Sequence, residues 1–211
     1  MKYTLIVGTK NWSSWSLRPY LALRHTGIEF EEIVVPLRAD TTTPEILKYS
    51  PSGRVPAFSI GETTIWDSLA ICETLNERHP EALLWPKDRW ARAVARAYAA
   101  EMHSGFADVR EQLSMDFVRR LKLPTLRDAT KAQIARILAA WENALAEHPG
   151  GFLFGTFSIA DCMYAPVVSR FTTYGVEVSP QVRAYMERMM ALPAMQDWGK
   201  ASQEEVDAGL A

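Results

Sequence analysis

The feature that most constrains the fold is a change of hydrophobic pattern near residue 80. Before it, short runs rich in β-branched residues alternate with stretches of helical spacing, and after it only helical spacing is found. Residues 79–88 contain two prolines and separate the two patterns, as expected of a linker. The sequence therefore predicts a mixed domain over residues 1–80 and an all-helical domain over residues 88–211.

The first 80 residues carry seven successive signals, in the order β-α-β-α-β-β-α. The segments are 3–7, 17–25, 30–35, 44–49, 55–60, 63–66 and 67–78. Gly61-Glu62 fits a tight hairpin between the last two strands, and Gly27 stands where a helix C-cap is expected. Because proline is tolerated only in the first turn of a helix, Pro19 favours Ser16 as the N-cap of the first helix. The order is that of a thioredoxin-like unit.

The second half reads as helices throughout. Apolar residues recur every three or four positions from Trp90 to Leu121, which predicts one amphipathic helix of about thirty residues. A second helix is expected around residues 134–145, and a third after Ser158-Ile159-Ala160-Asp161, which has the pattern of a capping box. Ser179-Pro180 resembles an N-cap followed by proline at the first helical position, and a last short helix is expected over residues 193–198.

Charge and composition exclude several classes of function. The net charge is only -2 and there is no basic stripe, so we do not expect a nucleic-acid partner. No apolar run is long enough for a membrane helix. Cys72 and Cys162 lack a spacing motif, which favours reduced thiols and a cytoplasmic location. The histidines are isolated from one another, so no metal site is predicted.

A polar segment, residues 11–16, joins the first strand to the first helix. Ser13 and Ser14 lie just ahead of the helix, where a hydroxyl and the positive end of the helix dipole can stabilise an anion such as a thiolate. The simpler alternative is that these serines only cap the helix. Trp12 and Trp15 either wall an apolar pocket or stack on the core.

Two further segments suit a peptide-like ligand with an amino acid head group. Pro56 precedes a strand and can hold a cis bond, which would present the backbone of Val55 to an extended peptide; an ordinary turn is the alternative. Asp67 and Ser68 open a helix. Besides capping it, the helix N-terminus with the Ser68 hydroxyl can bind a carboxylate, and the Asp67 carboxylate can bind an ammonium.

Taken together, these segments resemble the glutathione transferase family. The shared features are a serine after the first strand, Arg54-Val55-Pro56, Asp67-Ser68, the proline-bearing linker, the capping box at residues 158–161 and Leu-Pro-Ala-Met at residues 192–195. The resemblance spans nearly the whole chain. It implies an α/β plus all-α architecture, with a thioredoxin-like N-terminal domain followed by an all-helical C-terminal domain. It also implies glutathione as co-substrate, no metal, a role in detoxification and a homodimer.

The resemblance also implies a role for each matching residue. Ser13 matches the catalytic serine of zeta-like and bacterial serine-type transferases, with Ser14 as the alternative, and Trp15 replaces the cysteine of their Ser-Ser-Cys motif. Val55, before Pro56, would pair with the cysteinyl backbone of glutathione. The charged ends of glutathione would be held by Arg54, Asp67 and Ser68. Glu101 either reaches toward the glutathione of a neighbouring subunit or is a surface residue.

The predicted function is a glutathione transferase that activates the thiol for attack on a small hydrophobic electrophile. A free thiol is mostly protonated near neutral pH, and one hydrogen bond to the charged sulfur, worth about 1.5–3 kcal/mol, is enough to change that. The expected walls of the electrophile pocket are Trp12, Trp15, Met102 and Phe106. The alternatives are an isomerase of the maleylacetoacetate type, which the missing cysteine weakens, a dehalogenase, a peroxidase, or a non-catalytic glutathione-binding scaffold.

Overall fold

The computed structural model describes residues 2–211. The N-terminal part is a four-stranded sheet in the order β2-β1-β3-β4, with β1 parallel to β2 and the other pairs antiparallel. Its elements are β1 (Tyr3–Gly8), α1 (Ser14–Thr26), β2 (Glu31–Val35), α2 (Thr42–Leu47), β3 (Ala57–Ile60), β4 (Thr63–Trp66) and α3 (Ser68–Arg78). This is the predicted order, and the thioredoxin-like fold is confirmed.

The side chains of β1 point alternately into two apolar clusters, one on each face of the sheet. Successive strand side chains point to opposite faces. Leu5 and Val7 join the main core, which also contains buried apolar residues of α1 and α3, whereas Ile6 packs in a smaller cluster with Ile46 of α2. The sheet therefore has helices on both faces, and the carboxyl end of β1 leads directly into the loop before α1.

The C-terminal part is all-helical, as predicted. Its helices are α4 (Arg89–Ser104), α5 (Ala107–Gln112), α6 (Asp128–Glu147), α7 (Ile159–Tyr174), α8 (Pro180–Met190) and α9 (Pro193–Asp207), preceded by a short 3₁₀ turn, Pro80–Ala82. Almost every residue of α7 is buried, because this helix packs against α1, α4 and α8. Ser158 and Asp161 form the predicted capping box at its start. Within residues 2–211, no helix is long and apolar enough to cross a membrane.

The prediction of one long helix over residues 90–121 is wrong. Helix α4 ends at Ser104, Gly105 is extended, and Phe106 adopts a left-handed conformation with φ of 60° before the short α5 begins. The apolar spacing continues past the break because Val109, Leu113 and Phe117 are buried as well, from a changed chain direction. Periodicity reports burial and does not detect such a turn. The last helix, in contrast, is longer than expected.

The predicted N-cap of the first helix is also wrong. Helix α1 begins at Ser14 with Ser13 in the N-cap position, so Ser16 lies inside the first turn and Pro19 lies within the helix. Proline has no N–H, so the carbonyl of Trp15 loses its helical partner. Packing of α1 against α3 and α7 outweighs that local preference.

Candidate functional site

The candidate site is a cavity of about 670 Å³ where the start of α1, the loop before β3, the start of α3 and the end of α4 meet. The lining residues are Trp15, Ser52, Arg54, Val55, Pro56, Trp66, Asp67, Ser68 and His103. The two segments that the sequence suggested for a peptide-like ligand, residues 54–56 and 67–68, therefore share one cavity.

The loop before β3 presents an unpaired peptide group to this cavity. The Val55-Pro56 bond is cis. Among the backbone hydrogen bonds of residues 2–211, none uses the N–H or the C=O of Val55. The exposed Arg54 lies at the rim, and its guanidinium forms no ion pair in the described part of the chain. An extended ligand can pair with such an edge.

At the start of α3, Ser68 has two hydrogen-bond donors, its hydroxyl and its backbone N–H, that no acceptor in residues 2–211 satisfies. Asp67 caps the helix, because its Oδ1 accepts hydrogen bonds from the N–H groups of Leu69 and Ala70 at 2.9 and 3.1 Å. The N–H of Ile71 bonds to the carbonyl of Asp67. Ser68 is only 1% exposed, and its hydroxyl has no partner in the described part of the chain. Its N–H also lacks an acceptor among residues 2–211. Both donors lie at the positive end of a helix dipole, where a carboxylate is favoured.

His103 is a residue of this site that sequence reasoning missed. Its Nε2 lies 3.0 Å from Oδ2 of Asp67, and its ring packs edge-on against Trp15 at 5.4 Å between centroids. Its Nδ1 is buried without a partner. A single histidine in a helix carries no signal of its own, and only the approach of α4 to the start of α3 shows its place. Both oxygens of Asp67 are thus already engaged.

The two candidate serines differ in their hydrogen bonds. The Ser13 hydroxyl donates to Oγ of Ser16 at 2.7 Å, and that same oxygen accepts the N–H of Gly8 at 3.2 Å. The Ser14 hydroxyl makes no hydrogen bond with any residue in the described chain. Neither serine is among the lining residues of the cavity, but Trp15, the next residue, is. Of the two serines, Ser14 therefore has the free hydroxyl, and it directly precedes the cavity-lining Trp15.

The ring of Trp15 is stacked against two arginine side chains. The guanidinium carbon of Arg18 lies 4.1 Å from the ring centroid, and that of Arg110 lies 5.0 Å away. Burial, together with the nearby charges of Arg110 and Arg170, lowers the pKa of Arg18 to about 9. The cavity is therefore bordered by an indole ring with cations behind it.

The remaining predicted pocket residues lie elsewhere. Arg38 stacks on Trp12 at 4.1 Å. Met102 and Phe106 are both buried in the main core. The carboxylate of Glu101 is held by Arg136 of α6 at 2.8 and 2.7 Å, so within this chain it is engaged away from the cavity.

The cysteines and the metal-ligating side chains offer no second reactive group. Cys72 and Cys162 are free thiols, and burial raises the pKa of both. In the region that the structure describes, no three histidine, cysteine or acidic side chains are grouped as metal ligands.

Comparison with known proteins identifies the class that this fold and cavity define. The sequence model of the N-terminal domain of glutathione S-transferases matches residues 12–78, and that of their C-terminal domain matches residues 124–188. A zeta-class glutathione S-transferase of Euphorbia esula is 30% identical over 191 residues, covering 88% of this chain and 85% of that protein. The chain belongs to the glutathione S-transferase family, as its motifs predicted.

One further relative and one solved structure also match this chain over most of its length. A probable maleylacetoacetate isomerase of Caenorhabditis elegans is 28% identical over 184 residues, covering 86% of this chain and 85% of that protein. A glutathione transferase homologue from Burkholderia, solved with bound glutathione, superimposes with a TM-score of 0.75 at 28% identity. It covers 97% of this chain and 99% of its own. The relatives thus include a zeta-class transferase, in agreement with the resemblance found in the sequence.

Proposed function

We propose that the cavity binds glutathione and that the protein is a glutathione transferase, which converts the glutathione thiol to a thiolate and directs it at a small hydrophobic electrophile. The observation that carries the proposal is the pair of unsatisfied donors on Ser68, buried at a helix N-terminus beside the free peptide group of Val55. A buried donor without a partner is costly, and a bound carboxylate satisfies both at once. The glutathione-bound homologue supports the same assignment.

The proposed contacts follow from the chemistry of each group. The γ-glutamyl carboxylate accepts the hydroxyl and N–H of Ser68, and the ammonium lies against Asp67. The cysteinyl backbone pairs with Val55 next to Pro56, and Arg54 attracts the remaining carboxylate from the rim. His103 shares Oδ2 of Asp67, so the ammonium has to share that oxygen or displace the imidazole.

For thiol activation we propose the Ser14 hydroxyl as the donor, with Ser13 bracing the loop. The Ser13 hydroxyl proton is engaged with Ser16, whereas the Ser14 hydroxyl has no partner in residues 2–211. The N–H groups of Trp15 and Ser16, in the first turn of α1, also lack acceptors there. A thiolate at this helix start would gain from the hydroxyl and from the dipole.

The domain roles that we propose follow the same division. Residues 1–80 supply the glutathione-binding groups, and residues 88–211 supply much of the pocket for the electrophile. Of the predicted pocket residues, Trp15 has the strongest support because it lines the cavity. His103 is added to the proposed pocket for the same reason.

An isomerase of the maleylacetoacetate type is the second candidate function. Several relatives carry that name, including those of Caenorhabditis elegans and Rattus norvegicus. The residue that differs is Trp15, which stands in place of the cysteine of the Ser-Ser-Cys motif.

Two experiments test these functions. Isothermal titration calorimetry with glutathione should give a binding signal, and its absence would refute the proposed site. Turnover should then be compared on a chloronitroarene, an organic hydroperoxide and maleylacetone. Reaction with the chloronitroarene supports the transferase and reaction with maleylacetone supports the isomerase. Binding without any turnover would favour a scaffold.

We further propose a cytoplasmic homodimer. Large apolar side chains are exposed on α4, where Trp90 is 68% and Val94 is 45% exposed, and Trp66 is exposed at the end of β4. Trp90 and Val94 are four residues apart and lie on one face of α4, and a contiguous exposed apolar patch is typical of an interaction surface. Light scattering at micromolar concentration should give twice the 23.8 kDa chain mass; a monomeric mass would contradict the dimer.

A further inference from the structure

Three arginine side chains lie close together on α1, α5 and α7, and within residues 2–211 none of them is in an ion pair. They are Arg18, Arg110 and Arg170. The charges of Arg110 and Arg170 are near enough to lower the pKa of Arg18. An unpaired charge removed from water is among the most destabilising features of a protein interior.

The three differ in what their guanidinium groups bind. Arg170 donates to the carbonyl of Leu113 at 2.5 Å, and Arg110 donates to the carbonyl of Gly105. Each of these therefore ties down a loop. Arg18 is only 1% exposed, and its Nε and Nη1 are buried without any partner. No hydrogen bond within the described residues explains why a cation occupies this position.

The position of Arg18 relates it to the proposed thiol site. It follows Ser14 by four residues in α1, and residues four apart lie on the same face of a helix. Its guanidinium stacks 4.1 Å from the centroid of Trp15, and Trp15 lines the cavity. The charge thus lies directly behind the wall of the site, separated from it by one ring.

The other groups around Arg18 leave the local charge positive. On α3, Asp67 is an acid near enough to attract Arg18 through space, and Cys72 is kept neutral because burial raises the pKa of its thiol. His103, on α4, packs against the ring of Trp15, the residue on which Arg18 is stacked. Arg110 and Arg170 add to the charge of Arg18. In a region of low dielectric such a charge acts strongly on an anion nearby.

We propose that Arg18 stabilises the glutathione thiolate from behind Trp15, without touching the ligand. This inference rests on the proposed function, and it assigns Arg18 a task that explains its lack of partners. It also predicts a conflict between function and stability. A buried charge that is held for its field, and not for a structural bond, should leave the fold more stable when it is removed.

The test replaces Arg18 by an apolar side chain of similar length, Arg18→Met. The thiol pKa of bound glutathione is measured by ultraviolet absorbance of the thiolate, glutathione affinity by calorimetry, and thermal stability by circular dichroism. We expect the pKa to rise by about one unit, which lowers the thiolate fraction about tenfold below the pKa. Affinity measured below the thiol pKa should stay within about twofold, and the melting temperature should be unchanged or higher.

Two further variants make the result specific. Arg24→Met removes the same charge from the same helix, but Arg24 is partly exposed and paired with Asp197 at 2.6 Å, so the thiol pKa should not move. Arg18→Lys keeps the charge and should restore most of the pKa shift. Arg18→Gln gives a second uncharged side chain if methionine does not pack.

The outcomes separate this inference from the proposed function. If the natural protein gives no heat with glutathione, the proposed function fails and this inference fails with it. If glutathione binds but Arg18→Met and Arg18→Gln leave the thiol pKa unchanged, only the inference is overturned. A large loss of stability in Arg18→Met without a pKa shift would likewise show that Arg18 is structural.

Discussion

The substitution Ser68→Ala tests the proposed glutathione site most directly. In the free protein the Ser68 hydroxyl is buried and makes no hydrogen bond with residues 2–211, so its removal breaks no hydrogen bond there. In the complex it would donate to a carboxylate, and a hydrogen bond to a charged group contributes about 1.5–3 kcal/mol. We therefore expect the dissociation constant of glutathione to rise between about tenfold and about 150-fold. The Ser68 N–H remains, so binding should be weakened and not abolished.

The same substitution should not weaken the fold. Loss of a buried, unpartnered hydroxyl removes a desolvation penalty, so the melting temperature should be unchanged or higher. Calorimetric titration with glutathione measures the affinity, and circular dichroism measures the melting temperature. A structural serine would behave in the opposite way, with reduced stability and affinity unaltered.

Ser169→Ala is the matched control for this experiment. Ser169 lies in α7, is as deeply buried as Ser68, and its hydroxyl also lacks a partner, but it does not line the cavity. Its substitution should leave glutathione affinity unchanged. Affinity of Ser68→Ala within twofold of the natural protein, with the fold intact, would refute the carboxylate site at the start of α3.

Three further substitutions follow from the same geometry. Ser14→Ala should raise the pKa of the bound glutathione thiol by about one unit, whereas Ser13→Ala should leave that pKa unchanged and cost about 1 kcal/mol of stability through the lost bond to Ser16. Ultraviolet titration of the thiol distinguishes the two variants, and no shift in either would exclude both serines. Asp67→Asn keeps a good helix cap but removes the charge, so calorimetry should show glutathione affinity reduced about tenfold while the melting temperature is maintained; equal affinity would show that Asp67 only caps α3. Asp161→Asn should lower the free energy of unfolding, measured by urea denaturation, by roughly 3 kcal/mol, because an amide cannot accept all three hydrogen bonds that Asp161 receives from Leu153 and Ser158. A loss below 1 kcal/mol would contradict the importance of the capping box.

Local sequence rules were sufficient for the elements that are defined by neighbours in the chain. Short runs rich in β-branched residues predicted the strands of the sheet, and Gly61-Glu62 predicted the hairpin between β3 and β4. Ser158 and Asp161 predicted their capping box, because both partners lie within one helical turn. Asp67 and Ser68 were recognised as a helix start for the same reason, and the structure adds which of their groups remain free.

The errors arose where distant segments decide the local conformation. The helix predicted over residues 90–121 breaks at Gly105 and Phe106, where packing of α5 on α6 redirects the chain while the side chains stay buried. The N-cap was misplaced at Ser16 because proline within α1 is tolerated only by virtue of tertiary packing. In the first case the apolar pattern recorded burial without recording direction, and in the second the local rule for proline was overridden by packing.

The sequence by itself determined the two-part architecture, the family, and the segments that meet at the cavity, since these depend on periodicity and on short motifs. Only the tertiary structure decided that Ser14 and not Ser13 has the free hydroxyl, that His103 contacts Asp67, and that Arg18 lies unpaired behind Trp15. Each of those facts is a distance or a missing partner. Such properties belong to groups brought together by packing, and spacing along the chain does not encode them.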